Sequence, residues 1–145
     1  MAKFDAGGNS PAAAAGAAFV NLWTPAARSA RVLRIEIICT AATASDIGLA
    51  RSTVRGTQTT TQVGTALDPL TGASTAQFDS VWSVQPTVSA TNMRRILLNA
   101  AGQGIIWTWD DTDPLVVSAG AGLALINRGG AGAAIQSVNM EWDEG

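Results

Sequence analysis

The run Arg31-Val32-Leu33-Arg34-Ile35-Glu36-Ile37-Ile38-Cys39 constrains this chain more than any other feature. Leu33, Ile35, Ile37 and Cys39 fall on one face and Arg34 and Glu36 on the other. That two-residue period belongs to a half-buried strand. A helix needs apolar residues every three to four positions, and no stretch of adequate length has them.

Other short runs read the same way. They are Phe19–Trp23, closed by Thr24-Pro25, then Ile47–Arg51, Phe78–Val84, Arg95–Leu98, Ile105–Trp109, Leu115–Val117 and Leu123–Asn127. Phe78, Trp82 and Val84 share one face of their run, and Ile105, Trp107 and Trp109 share one face of theirs. A last strand is expected from Ala134 to Trp142. Gly, Pro, Asp and Asn turns separate the runs, so roughly eight strands indicate an all-β sandwich or barrel.

Two segments stand apart. Residues 52–77 are rich in Thr, Gln, Ser and Gly and read as a surface excursion with weak strands around Thr59–Val63. Residues 1–18 are small and Gly- and Ala-rich, with little to anchor them, and read as an extended arm. The expected organisation is an arm over 1–18 and one β-sandwich domain over 19–145. A chain of 145 residues can bury a core without staples.

Composition narrows the chemistry. With no His, the chain has no Ser-His-Asp triad, no Cys-His pair and no His-ligated metal. The single Cys39 rules out an intrachain disulfide or a CxxC pair, and its strand context reads as a packed, inert thiol. Charged residues make up 14% of the chain, against a usual share of about 25%. A net charge of −2 with scattered arginines argues against nucleic acid as a partner. The run Ala12–Ala18 is too short and too weakly apolar to span a bilayer, so no membrane partner is expected either.

The remaining motifs favour structural readings. Asp110, Asp111 and Asp113 form a dense carboxylate cluster, but Pro114 and Leu115 follow where a calcium loop continues differently. A solvated turn fits better. The glycine runs at 102–104, 120–122 and 129–132 lie between strands, whereas a phosphate loop needs a helix directly after it. Trp82, Trp107, Trp109 and Trp142 occupy apolar strand positions and suit core or interface burial. No catalytic residue, cofactor or metal site is expected.

The runs Arg31–Ile37 and Thr40–Arg51, with Gly104–Trp109, Leu115–Val117, Gly122–Asn127 and Val138–Trp142, resemble small bacteriophage virion proteins with a jelly-roll fold. The resemblance covers about residues 19–142. It implies a capsid decoration (cement) protein: a homotrimer on the outer surface of a tailed-phage head, assembled in the host cytoplasm and bound to the major capsid protein. A charge-poor, Trp-containing β domain agrees, because subunit contacts hide apolar surface. The candidate oligomer or capsid contacts are Phe4 in the arm, Phe19, Trp23, Trp107 and Trp109, with Arg51, Arg55 and Arg94. Two rivals are a receptor-binding domain of a tail or fibre, touching the host through 52–77 and 110–114, and a carbohydrate-binding module using the strand tryptophans.

Overall fold

The computed structural model of the protein describes residues 1–99, 101–130 and 135–145. Among them are thirteen strands. They are β1 (Ala2–Asn9), β2 (Ala18–Trp23), β3 (Ala30–Cys39), β4 (Ser45–Val54), β5 (Thr57–Val63), β6 (Thr65–Ala66), β7 (Gln77–Val84), β8 (Thr87–Val88), β9 (Arg94–Leu98), β10 (Gly104–Thr108), β11 (Leu115–Val117), β12 (Gly122–Asn127) and β13 (Gln136–Glu144). The expected start of the last strand at Ala134, and Ala131 and Gly132 of the glycine run, lie outside the described residues. Among the described residues no helix is long and apolar enough to cross a membrane.

All pairings are antiparallel, in two sheets. The first runs β10-β3-β13-β1-β6, with β11 continuing the β10 edge along β3. The second runs β5-β7-β2-β12-β4-β8, with β9 beside β4. Set β5–β7 aside, and the sheets read β1-β13-β3-β10 and β2-β12-β4-β9. Early strands alternate between the sheets and the first and last strands lie side by side. This is a jelly roll, two Greek keys folded onto one core. The runs read from the alternation supply seven strands of this frame, β2, β3, β4, β9, β10, β12 and β13. The eighth, β1, falls in the segment expected as an arm, the run Phe78–Val84 is β7 outside the frame, and β8 and β11 are short continuations of its edges.

Period-two patterning explains the core. Ile35, Ile37 and Cys39 of β3 are fully buried while Arg34 and Glu36 reach outward. Opposite β3, a register shift at Glu141/Trp142 of β13 lets Val32 and Leu33 both turn inward. Phe19, Phe78, Leu123, Leu125, Met140 and Trp142 complete the core from both sheets.

Residues 2–9 were expected to belong to an arm; instead they form β1, inside the first sheet between β13 and β6. Phe4 is buried and stacks on Trp142, with centroids 6.2 Å apart. The small residues reflect close packing. A Cβ on Gly7 would meet Asn139 Oδ1 and the Val138 carbonyl at 2.8 Å. Residues 10–17 cross between the sheets, tied by Ser10 N–H to the Gln136 carbonyl (2.7 Å) and Gly16 N–H to the Asn127 carbonyl (2.8 Å).

The excursion after β4 has its own logic. Only Arg55 and Gly56 separate β4 from β5, although β12, β2 and β7 intervene in the sheet order. The chain spans this distance because β7 pairs with β2 over Gln77–Asp79 alone and then leaves it. Trp82 and Val88 come to rest on a second apolar cluster of Ala18, Ala50, Ala124 and Ile126. The β5–β7 unit thus covers the outer face of the second sheet, which is why all of β12 is buried. Register shifts against β5 carry Phe78 into the main core and Trp82 into the second cluster, so the two do not share a face as the alternation suggested. Gly56 turns the corner at φ 78°, packed against Val84 and Gln85, where a side chain would be strained.

Candidate interaction surface

The eight candidate contact residues divide sharply. Phe4 and Phe19 are committed to the chain's own core and present no surface, because the strands that carry them are interior to their sheets. Trp23 is half-buried at the end of β2, where its ring packs beside Gly122. Trp107 and Trp109 are half-buried and back onto the main core. Arg94 is exposed on β9.

The other two arginines have partners within the chain. Arg55 grips the fully buried Asp79 with two hydrogen bonds, Nε at 2.8 Å and Nη2 at 2.7 Å, and also reaches Gln77. A planar guanidinium matches both carboxylate oxygens at once, which keeps the buried charge compensated. Arg51 donates from Nη1 to the Val116 carbonyl, linking the second sheet to β11 of the first. Burial pushes its guanidinium down from the ordinary value.

The strongest carboxylate site lies outside every expected motif. Glu144, at the end of β13, accepts from Ser74 Oγ (2.5 Å), Thr75 N–H (2.9 Å), Thr75 Oγ1 (2.5 Å), Ala76 N–H (2.9 Å) and Trp142 Nε1 (3.0 Å). Burial alone raises its carboxyl, but these donors outweigh burial and bring it down to about 2. This carboxylate fastens the loop before β7 to the first sheet. The Asp110–Asp113 cluster is a tight turn. Asp110 Oδ1 accepts from Thr112 N–H and Oγ1, which lowers its carboxyl, and Asp113 N–H donates to the Asp110 carbonyl. Among the described residues, no group of three His, Cys, Asp or Glu side chains is placed to hold a metal.

The surface that stands out is the β10–β11 edge. Val116, opposite Arg31 farther along β3, is 43% exposed, and Ile106 is 52% exposed near Ile38, itself 36% exposed on the outer face of β3. Glu36, Ile37, Ile38, Gly104, Ile105 and Ile106 line a shallow groove of about 470 Å³ there. Gly104 keeps the floor low, since a Cβ would press on the Ile37 carbonyl at 2.7 Å. Ile105, Trp107 and Leu115 brace the strip from behind by packing against the core. On the edge strand of the second sheet, Leu97 is 56% exposed. The signal was present in the sequence. Ile38 and Ile106 are large apolar residues at positions where the alternation calls for polar ones.

Compared with protein-family models, curated proteins and solved structures, the chain matches none.

Proposed function

We propose that this chain is a non-enzymatic structural protein of a tailed-phage virion: a trimeric decoration protein that binds the major capsid protein on the outside of the head and stabilises the lattice. One observation carries the reading. A jelly roll with its core filled still turns large apolar side chains outward along β10–β11, on a chain poor in charge. Exposed apolar strips of this kind mark contact surfaces. Where such a strip meets a different surface on its neighbour, the head-to-tail contact makes a ring when the rotation closes, and a trimer is the ring proposed here. Binding of one ring to several capsid subunits then gains from avidity.

The test uses sedimentation equilibrium and phage heads prepared without this protein. The wild-type chain is expected at three times its monomer mass, binding such heads and raising their resistance to heat. Ile106→Lys is expected to fall to a lower mass with unchanged thermal stability. A wild-type monomer that does not bind heads overturns the proposal. One observation favours the rival receptor-binding reading: Leu70 is 93% exposed at the tip of the loop between β6 and β7, as a host-contacting side chain would be. Electron microscopy of the virion separates the two, by placing the chain on the head or on the tail.

A further inference from the structure

Strand β6 pairs with β1 only at Phe4 and Asp5. Leu67 N–H donates to the Lys3 carbonyl on the same side, so the backbone groups of alternate residues, Lys3, Asp5 and Gly7, face that way. Before Thr65 the chain belongs to the other sheet, where Val63 pairs with Gln77 of β7. Gly7 is therefore exposed, with no strand opposite it on this side. The crossing from β5 to β6 leaves a slot of about 330 Å³ beside it. Asp5, Gly7 and Asn139 line the slot from the first sheet, and Gln62 and Thr65 from the crossing chain. Gln62 Nε2 stands over Gly8, 3.3 Å from where a Cβ would be. Val63 and Leu67, 49% and 55% exposed, add apolar borders.

The polar groups of this slot select a ligand. Asp5 accepts one hydrogen bond, a long one from Asn139 Nδ2 to Oδ2 (3.4 Å), and its Oδ1 has no partner. An ionised carboxylate has room for about four. Gln62 and Thr65 are exposed. The set offers oxygens that accept, amide N–H groups that donate, and a hydroxyl that does either; the backbone of Gly7 adds one donor and one acceptor. The local charge is negative. Glu141 lies opposite Asp5 on β13, and Lys3, two positions before Asp5, is engaged with Asp111 at 3.8 Å. Such a slot repels an anion. A simple cation would satisfy Asp5 and leave the amide donors unused. Neighbouring hydroxyls match the whole set, because each both donates and accepts. The geometry points to a binding site for a neutral sugar. Asp5 accepts from one hydroxyl, Asn139, Gln62 and the Gly7 backbone bond the adjacent ones, and the C–H face of the ring rests on Val63 and Leu67. A few placed polar groups beside apolar surface are the usual build of a small-molecule site. The slot contains no tryptophan, lies away from β10–β11 and does not depend on the virion reading.

The test is NMR of the isotope-labelled chain titrated with glucose, galactose, mannose and N-acetylglucosamine, and with glucuronate, galacturonate and butylammonium as charged probes. At least one neutral sugar should shift the Gly7 backbone amide and the side-chain amides of Gln62 and Asn139, saturating in the millimolar range expected of an open site. The two uronates should not shift them. Asp5→Asn keeps the shape and removes the charge, and should weaken binding about tenfold or more; Gln62→Ala, an exposed change, should weaken it about threefold. Resonances of the core should stay in place in both variants, and Gln62→Ala still decides the matter if Asp5→Asn disturbs the fold. The proposal is overturned if no neutral sugar shifts Gly7, or if the shifts centre on tryptophan indoles instead. It is equally overturned if butylammonium saturates the same resonances more tightly than any sugar, or if neither variant weakens binding. None of these outcomes bears on the ring contact, which Ile106→Lys reports alone.

Discussion

Glu144 offers the sharpest test of how the excursion is held. The substitution is Glu144→Gln, which keeps the shape and replaces one accepting oxygen by an NH2. Both carboxylate oxygens accept hydrogen bonds, so the new donor faces groups that themselves donate. The carboxyl stands at about 2 in the folded chain against an ordinary 4.5. At about 1.4 kcal/mol per pKa unit, that difference corresponds to about 3 kcal/mol. Solvent reaches part of the group, and screening reduces the expected contribution to about 1.5 kcal/mol. The sign follows from the lowered value. The folded chain binds this proton less readily than the unfolded chain, so the contribution is complete above pH 4.5 and lost as pH falls toward 2. Calorimetry of both proteins from pH 2 to 7, at fixed protein concentration, isolates this one group. Glu144→Gln should melt about 5 °C lower at pH 7, and the gap should close as pH approaches 2. Equal stability at pH 7, or a gap that stays constant down to pH 2, would refute the reasoning.

Two further perturbations probe the second sheet. Arg55→Ala leaves the buried Asp79 without its cation and should cost about 3–5 kcal/mol in urea unfolding, whereas an exposed ion pair costs under about 1 kcal/mol. Gly122→Ala places a methyl group under the hydrogen bond between Ser52 Oγ and Asn21 Oδ1, 2.6 Å from the latter, and should cost about 1–3 kcal/mol. Adding Ser52→Ala to Gly122→Ala should recover part of that loss, because it removes the closest obstruction.

Strand β3 was legible because everything that defines it is local. Its alternation needs no knowledge of what packs on either face, and the polar side chains Arg34 and Glu36 mark which way is out. The same holds for β13 over Val138–Trp142, and together these runs point to the sandwich. Strand β1 was illegible for the opposite reason. Gly7 and Gly8 carry no pattern, and the smallness of Gly7 is required by Val138 and Asn139, at the far end of the chain. Local reading assigns such a segment to flexibility, while the fold uses it as an interior strand.

The same distinction explains the surface. Aromatic residues were expected at contacts because they are large, yet Phe4 and Phe19 serve the core, since their strands happen to be interior ones. A contact surface is marked less by the size of a side chain than by its phase. Ile106 lies between Ile105 and Trp107, which point inward, so it must point outward; Ile38 follows Ile37 in the same way. An apolar side chain out of phase on a regular strand faces water unless another segment or another molecule covers it. Edge strands test this argument best, because they have no neighbour in their own chain to supply the cover. β10 is such a strand, and that makes Ile106, rather than any tryptophan, the residue on which the assembly reading turns.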